Sequence, residues 1–516
     1  RLMRFPSALS CARPGRLATL ATLAARVMLA GPLATPAVAA EGSGAPALPR
    51  EFRACWIASK GNIDWPSQPG LPPARQQAEL RQILDQARLL RLNAVILQVR
   101  PQADALYFSR LEPWSAYLTG REGVGPATAW DPLAFAVQEA HARGLELHAW
   151  INPFRARSES TPSPMAPEHF ARRRPDLTRT YGNQLWLDPG EPEVRRHSQE
   201  VALDLVRRYD LDGLHLDDYF YPYPVKDSAG NLVPFPDQAS WRRHGPTSGQ
   251  PDRPAWRRSN VDRFVHDLGR AIHQAKPWVK YGISPFGIWR PGHPAPVRGL
   301  DAYETLSADA RRWLQEGWVD YLAPQLYWTI DAPQQSFPLL LAWWHGQNSP
   351  ARHVWPGLAP ARIGTDRRAV EIVRQVELAR RQPGGNGFLL WNASSLRLNK
   401  DGVADLLSAG PLREPALVPA CPWLGGETPG LTRFDPSSRR ADSELHLSWQ
   451  AADQAPVAVF ALQYRIGTRW FLEVLPAGQR SHTFRRPVLP RLPDEVRLTP
   501  VGRTGAAGRP GLWRRS

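Results

Sequence analysis

Eight short β-rich runs, separated by amphipathic segments, fill the chain from Phe52 to Trp391 and leave few folds open to it. They are Phe52–Ser59, Asn93–Val99, Leu145–Ile151, Gly213–Asp217, Lys280–Pro285, Tyr321–Gln325, Val354–Leu358 and Gly387–Trp391. The clearest helical pattern runs from Ala74 to Leu92, where Leu80, Ile83, Leu84, Ala87 and Leu90 share one face. Asp131–Arg143, Glu193–Tyr209, Asn260–Gln274 and Asp366–Arg381 behave similarly. Such alternation favours a parallel sheet covered by helices. Eight units rather than five or six, each run followed by polar and aromatic residues, favour a closed α/β (β/α)8 TIM barrel over a doubly wound open sheet. Two segments that follow strands, Tyr107–Ala129 and Tyr219–Ser259, exceed ordinary loop lengths and are expected on the catalytic face.

A barrel of this class takes about 250 residues or more, so the 516 residues leave room for an accessory domain. The barrel is placed at 50–409, followed by a Pro-rich linker at 410–430. Beyond it, Leu445–Trp449, Val457–Tyr464 and Trp470–Leu475 alternate with period two and show no helical pattern. A small all-β, fibronectin-like sandwich is expected over 431–516. No strand-end motif lies there, so the barrel is expected to fold and act without it. At the other end, early arginines, an apolar run from Leu17 to Leu33 and Ala37-Val38-Ala39 make residues 1–40 read as a secretory signal peptide. The mature chain is then expected in the periplasm or outside the cell. Arg26 and Pro32 interrupt a run already short of the ~20 apolar residues of a membrane span, so no stable membrane insertion is expected after cleavage.

Composition excludes several chemistries. Cys11, Cys55 and Cys421 provide neither a disulfide framework nor metal-ligand spacing. The net charge of +16 comes from arginines spread along the whole chain, without the basic stripes of a nucleic-acid binder. It would still draw the protein toward polyanions such as a cell wall. With no histidine pair at metal spacing, no Gly-rich phosphate loop and no G-x-S-x-G turn, no metal, cofactor, nucleotide or serine nucleophile is expected.

In barrels the reacting groups stand just past the C-terminal ends of strands. The fourth run ends in Asp217-Asp218, followed by Tyr219, Phe220 and Tyr221. Neighbours in a regular strand point opposite ways, so only one of the two aspartates would enter the mouth, and Leu214 and Leu216 do not settle which. Polar groups follow other runs: Arg100, Gln102 and Asp104 after the second, Asn152 and Arg155 after the third, Arg290 after the fifth. The sixth continues as Gln325, Tyr327, Trp328 and Asp331, and the eighth as Trp391-Asn392. Aromatic faces alternating with amides, carboxylates and arginine suit the C–H faces and hydroxyl edges of sugars. Glycoside cleavage needs an acid and a second carboxylate. Asp217 or Asp218 supplies one, and Asp331 is the best placed second, although Asp331-Ala332-Pro333 also reads as a helix N-cap; Asp104 and Glu304 are lesser candidates.

From Arg50 to Ala409 the chain resembles the glycosyl-hydrolase-like family 10 proteins. The carriers are Phe52-Arg53-Ala54-Cys55-Trp56, Gln98-Val99-Arg100-Pro101, Ala149-Trp150-Ile151-Asn152-Pro153, Asp217 to Pro222, Gly282 to Arg290, and Pro324-Gln325-Leu326-Tyr327-Trp328. The resemblance brings Trp56 and Trp150 into the candidate sugar site. The family includes a divisome-associated enzyme that cuts peptidoglycan glycan strands stripped of stem peptides, which implies a similar envelope glycosidase here. Another amino-sugar polysaccharide as substrate, and a non-catalytic glycan-binding barrel, are the alternative readings. Some relatives carry glutamate directly after the Tyr-Trp of the sixth strand, where this chain has Thr329, leaving Asp331 as the substitute. A chitinase-type D-G-x-D-x-D-x-E pattern is broken at His215 and Tyr219. The amylase-type D-G-x-R-x-D pattern sets its nucleophile where Asp217 stands, which favours Asp217 over its neighbour.

Overall fold

Alternation along the first strand decides which residues line the ring. Phe52, Ala54 and Trp56 belong to an inner buried cluster, whereas Cys55 and Ile57 belong to the cluster packed under the helices. The computed structural model describes residues 44–435, 438–451, 456–486 and 488–515. The expected signal peptide therefore lies outside the described residues. The strands are β1 (Phe52–Ile57), β2 (Ala94–Arg100), β3 (Glu146–Ile151), β4 (Gly213–Leu216), β5 (Lys280–Ile283), β6 (Tyr321–Leu322), β7 (His353–Val354, resuming at Gly357–Leu358) and β8 (Gly387–Leu390).

All ladders among these strands are parallel. The sheet path begins at His353–Val354 and ends at Gly357–Leu358, which are two halves of one strand. The ring is thereby closed. Pro356 has no N–H to offer, and the strand changes partner there: Trp355 donates to Leu322 of β6 (2.9 Å), while Pro356 accepts from Leu389 of β8 (3.0 Å).

One main helix follows each strand: α1 (Pro73–Leu89), α2 (Pro132–His141), α3 (Pro192–Arg208), α4 (Arg253–Ala275), α5 (Ala310–Gln315), α6 (Phe337–Gly346), α7 (Ala369–Arg381) and α8 (Val403–Ala409). The apolar stripe read from the sequence is the buried one, with Leu80, Ile83, Leu84 and Ala87 of α1 all inside. Asp131 starts α2 by accepting from Leu133 (3.0 Å) and Ala134 (3.1 Å). The helix α4 begins seven residues before the expected Asn260, because Asp252 caps it and Pro254 follows in its first turn. An insertion after β3, unforeseen in the sequence, folds Arg155–Arg157, Thr178–Tyr181 and Gln184–Leu187 into a small antiparallel sheet. None of the helices among the described residues is long and apolar enough to cross a membrane.

The C-terminal part builds two antiparallel sheets. In the first, β11 (Glu444–Ala451) pairs with β9 (Thr432–Phe434), β10 (Arg439–Arg440) and β14 (Ser481–Arg485). In the second the order is β13 (Arg469–Pro476), β12 (Val457–Ile466), β15 (Glu495–Gly502), β16 (Gly511–Arg514). Leu445, Leu447 and Trp449 from one sheet meet Phe460, Leu462, Val496 and Leu498 from the other in a common core, the arrangement of a fibronectin-like sandwich.

Within residues 410–430, read above as a linker, the stretch 416–423 lies along the foot of the barrel, while Pro429 packs on Gly502 and Gly508 of the sandwich. Leu417 exchanges backbone bonds with Glu51 and Pro49 (2.9 Å each), Ala416 accepts from Asn93 (3.0 Å), and Trp423 donates to Asp320 (2.8 Å). The sandwich joins them there. Arg503 reaches Asp210 (2.7 Å), Asp212 (2.9 Å) and the Leu211 carbonyl (3.0 Å). Burial pushes the Asp212 carboxyl up, but Arg503, His141 and Lys280 overcome this and hold it well below the usual range. Such an interface couples the stability of the two parts. Arg503→Ala is expected to cost about 3 kcal/mol by leaving Asp212 short of a buried partner. A denaturant midpoint equal to wild type would show that the foot contact adds nothing.

Candidate active site

The paired aspartates reach the mouth by different routes. In β4, Leu214 and Leu216 point outward to the helices, and Gly213 and His215 point into the ring. Asp217 keeps the inward parity of His215. Its carboxylate accepts from Trp150 Nε1 (3.1 Å), Asn152 Nδ2 (2.9 Å) and the Tyr219 backbone N–H (3.4 Å). Asn152 is itself aimed, because its Oδ1 accepts from the backbone of Arg155 (2.7 Å) and Phe154 (3.3 Å), turning the NH2 toward Asp217. Asp218 has the outward parity of Leu216, but the ladder stops at Leu216 and frees the next residue to turn. Its carboxyl receives the hydroxyl of Tyr223 and the side-chain amide of Gln325. Both aspartates therefore join one site, where strand regularity would have admitted one.

Burial and proximity divide the charge between them. Burial first, then the neighbouring Asp217, push the Asp218 carboxyl up to about 7 against the downward pull of Tyr223 and Gln325. Burial also raises Asp217, with Arg155, Asn152 and Trp150 pulling it back. Two such neighbours cannot both ionise cheaply. Asp217 is the better supported anion and Asp218 the natural holder of the proton near neutral pH.

An aromatic lining surrounds the pair. Trp391 meets Trp150 edge-on at 6.0 Å and Trp56 at 6.2 Å between ring centres. On the other flank Tyr219 meets Tyr223 (5.4 Å), Tyr223 meets Phe286 (6.3 Å) and Phe286 meets Trp328 (5.6 Å). Arg155 lies over the Tyr219 ring at 4.2 Å. Half-buried Gln325, Tyr327 and Lys60 complete the set; burial, aided by Arg155, brings the Lys60 ammonium down to about 8, while Glu159 and Asp217 oppose.

Of the residues singled out in the sequence, Asp217, Asp218, Trp56, Trp150, Asn152, Tyr219, Gln325, Tyr327 and Trp391 come together here, with Trp328 further along the same aromatic band. Others have structural employment. Arg100 is wholly buried against Glu112 (2.7 Å), which also meets His197 (2.9 Å). Gln102 accepts from the Ser158 backbone (2.8 Å) and donates to Asp104 (3.2 Å), tying the loops after β2 and β3. Asp104 itself is fully buried, pushed up to about 7 by burial with Glu122 and Glu112 adding. Tyr221 packs on Phe235 at 5.3 Å, and Arg290 pairs with Asp301 (3.3 Å) and Glu304 (3.6 Å). Asn392 caps the helix Ala393–Arg397.

Asp331 stands exposed on a turn. It does not cap α6, which starts at Phe337 after Ser336. Tyr223 and Lys60 were not foreseen. Lys60 directly follows the first run, so the strand-end rule reaches it; Tyr223 is betrayed only by the aromatic spacing Tyr219, Tyr221, Tyr223. Among the described residues no three His, Cys, Asp or Glu side chains are grouped to hold a metal ion.

The profile of the family described as Glycosyl hydrolase-like 10 matches residues 51–371. The chain is 41% identical over 393 residues to glycosyl hydrolase YngK of Bacillus subtilis (strain 168), covering 74% of this chain and 75% of that one. It is 31% identical over 425 residues to glycosyl hydrolase DigH of Escherichia coli (strain K12), covering 75% and 94%. Among solved structures, the PgaB (BpsB) glycoside hydrolase domain from Bordetella bronchiseptica aligns with a TM-score of 0.48 at 17% identity, over 70% of this chain and 98% of that one. The chain is a glycoside hydrolase and belongs to the glycosyl hydrolase-like 10 family.

Proposed function

We propose that this glycoside hydrolase cuts cell-envelope glycan, denuded peptidoglycan strands first among them, with Asp218 as general acid and Asp217 as its charged partner. The observation that carries the reading is the buried pair at the end of β4, set among Trp150, Trp391, Tyr219 and Tyr223. An acid must hold its proton until the leaving oxygen needs it, and a neighbouring anion must survive to meet the positive charge of the transition state. The different surroundings of Asp217 and Asp218 suit those two tasks. The family resemblance supports the envelope substrate, and the net charge of +16 supports attraction to an anionic wall. Export is part of the same proposal, supported by the leader-like residues 1–40.

Purified protein incubated with denuded glycan strands is expected to release soluble fragments, read by chromatography and mass spectrometry. Asp218→Asn should retain the fold and lose roughly 10²–10⁴-fold in turnover. Binding without turnover by wild type would favour a glycan-binding barrel, and cleavage confined to a different amino-sugar polymer would move the substrate.

The pH profile adds a sharper check. Asp218 must be protonated to act, so kcat/KM is expected to fall as pH rises through about 7. The Tyr223 hydroxyl stabilises the ionised form of Asp218, so Tyr223→Phe should raise that pKa and carry the alkaline limb upward by about one pH unit. A limb that stays in place would separate Tyr223 from the acid.

A further inference from the structure

Cleavage by a nucleophilic carboxylate needs that group across the sugar from the acid, at a separation of about 5 Å, and an inverting base stands ~6.5–9.5 Å away. Asp217 and Asp218 are consecutive residues, whose Cα atoms are about 3.8 Å apart, on one wall of the mouth. Several other carboxylates that follow strands are tied by their own partners, Glu159 among them by the side-chain amide of Asn183. Asp64 accepts from the backbones of Ala58 and Ser394 (2.8 Å each), Asp104 is tied to Gln102 (3.2 Å), Glu304 to Arg258 (2.8 Å), and Asp366 to Arg367 (2.8 Å). Asp331 stands exposed on its turn.

We propose that the substrate supplies its own nucleophile, the carbonyl oxygen of a 2-acetamido group on the sugar being cleaved, with Asp217 holding the acetamido N–H and Asp218 serving first as acid and then as base. The inference rests on the glycosidase reading of the pair and assigns the chemical class of the reacting sugar as N-acetylated.

Asp217 is suited to that task. Three donors already occupy its carboxylate, from Trp150, Asn152 and Tyr219, and an ionised carboxylate accepts at about four lone-pair sites, leaving one for a substrate N–H. The same Trp150 that fixes it borders Trp391, and Trp391 borders Trp56, so an apolar corner for the acetamido methyl lies beside the anion.

The steps balance. The acetamido oxygen bonds to the anomeric carbon as the glycosidic C–O bond breaks, and the leaving oxygen takes the proton of Asp218. The resulting oxazolinium cation keeps its N–H against the Asp217 carboxylate. Water then gives a proton to Asp218 while its oxygen bonds to the anomeric carbon, and the acetamido C–O electron pair returns to the amide. One water is consumed and configuration is retained.

The test uses the full chain and two measurements. In the first, binding of 2-methyl-thiazolines derived from glucosamine and from muramic acid, stable mimics of the bicyclic intermediate, is followed by calorimetry. Wild type is expected to bind one of them about tenfold or more tightly than Asp217→Asn does. In the second, denuded glycan strands are compared with the same strands chemically N-deacetylated, which should be cut about 100-fold or more slowly, with product anomers retained. No thiazoline binding by wild type, equal affinity without the Asp217 charge, equal rates on the two strands, or inverted product would each overturn the proposal. Failure to cut either strand would sink the peptidoglycan reading alone, because the thiazoline titration still judges the role of the acetamido group. Should Asp217→Asn fail to fold, the wild-type titration and the strand comparison decide it.

Discussion

A ring of eight strands encloses a column of space that only side chains can fill, and the rest of this molecule is arranged around that filling. Phe52 stacks on Trp355 at 3.9 Å, and Tyr321 lies across the ring where Gly282 gives way to it: a Cβ on Gly282 would fall 1.9 Å from the tyrosine ring. The column also carries polar atoms that need partners. Tyr321 bridges His148 and His215 (2.9 Å each), and His215 meets Ser284 (3.0 Å) and Trp56 (3.2 Å). Burial, with His148 adding, keeps His215 well below the usual histidine range, so it stays a neutral link. Trp56 and Trp150 form the top of this column, and Trp150 is the residue that fixes Asp217. Asp217 is thus held by a side chain of the packed column itself.

The second determinant is where β4 stops. Had its ladder run two residues further, Asp218 would share the outward course of Leu214 and Leu216 and meet the helices. Ending at Leu216 brings a second carboxyl into the same pocket, where the two cannot be equally charged. Tyr223, from the insertion after β4, then holds Asp218 by its hydroxyl. An insertion, a strand end and a core tryptophan each contribute one part of the setting of the two aspartates.

How much of this could be read beforehand follows from the range of each interaction. The strands, the closed barrel and the aspartates at the fourth strand end rest on local periodicity, and Leu80, Ile83 and Leu84 appear on the face their spacing requires. Arg100 and Arg290 stood at the right strand ends, but their partners Glu112 and Asp301 lie 12 and 11 residues on, and a spacing rule does not see them. Asp331 read as a cap because Pro333 follows it, yet the chain turns once more before α6 begins at Phe337. Tyr223 depended on how an insertion folds back. The foot interface was hidden in the same way, since Arg503 and Asp212 are remote in sequence and neither lies in a motif.

The covered foot has a consequence for traffic through the molecule. The column is plugged by Phe52, Tyr321 and Trp355, and its lower end is sealed by Leu417, Trp423 and Arg503. Among the described residues the barrel axis is filled from end to end. Whatever sugar reaches the aspartates therefore comes and goes by the rim, on the face where the strands end.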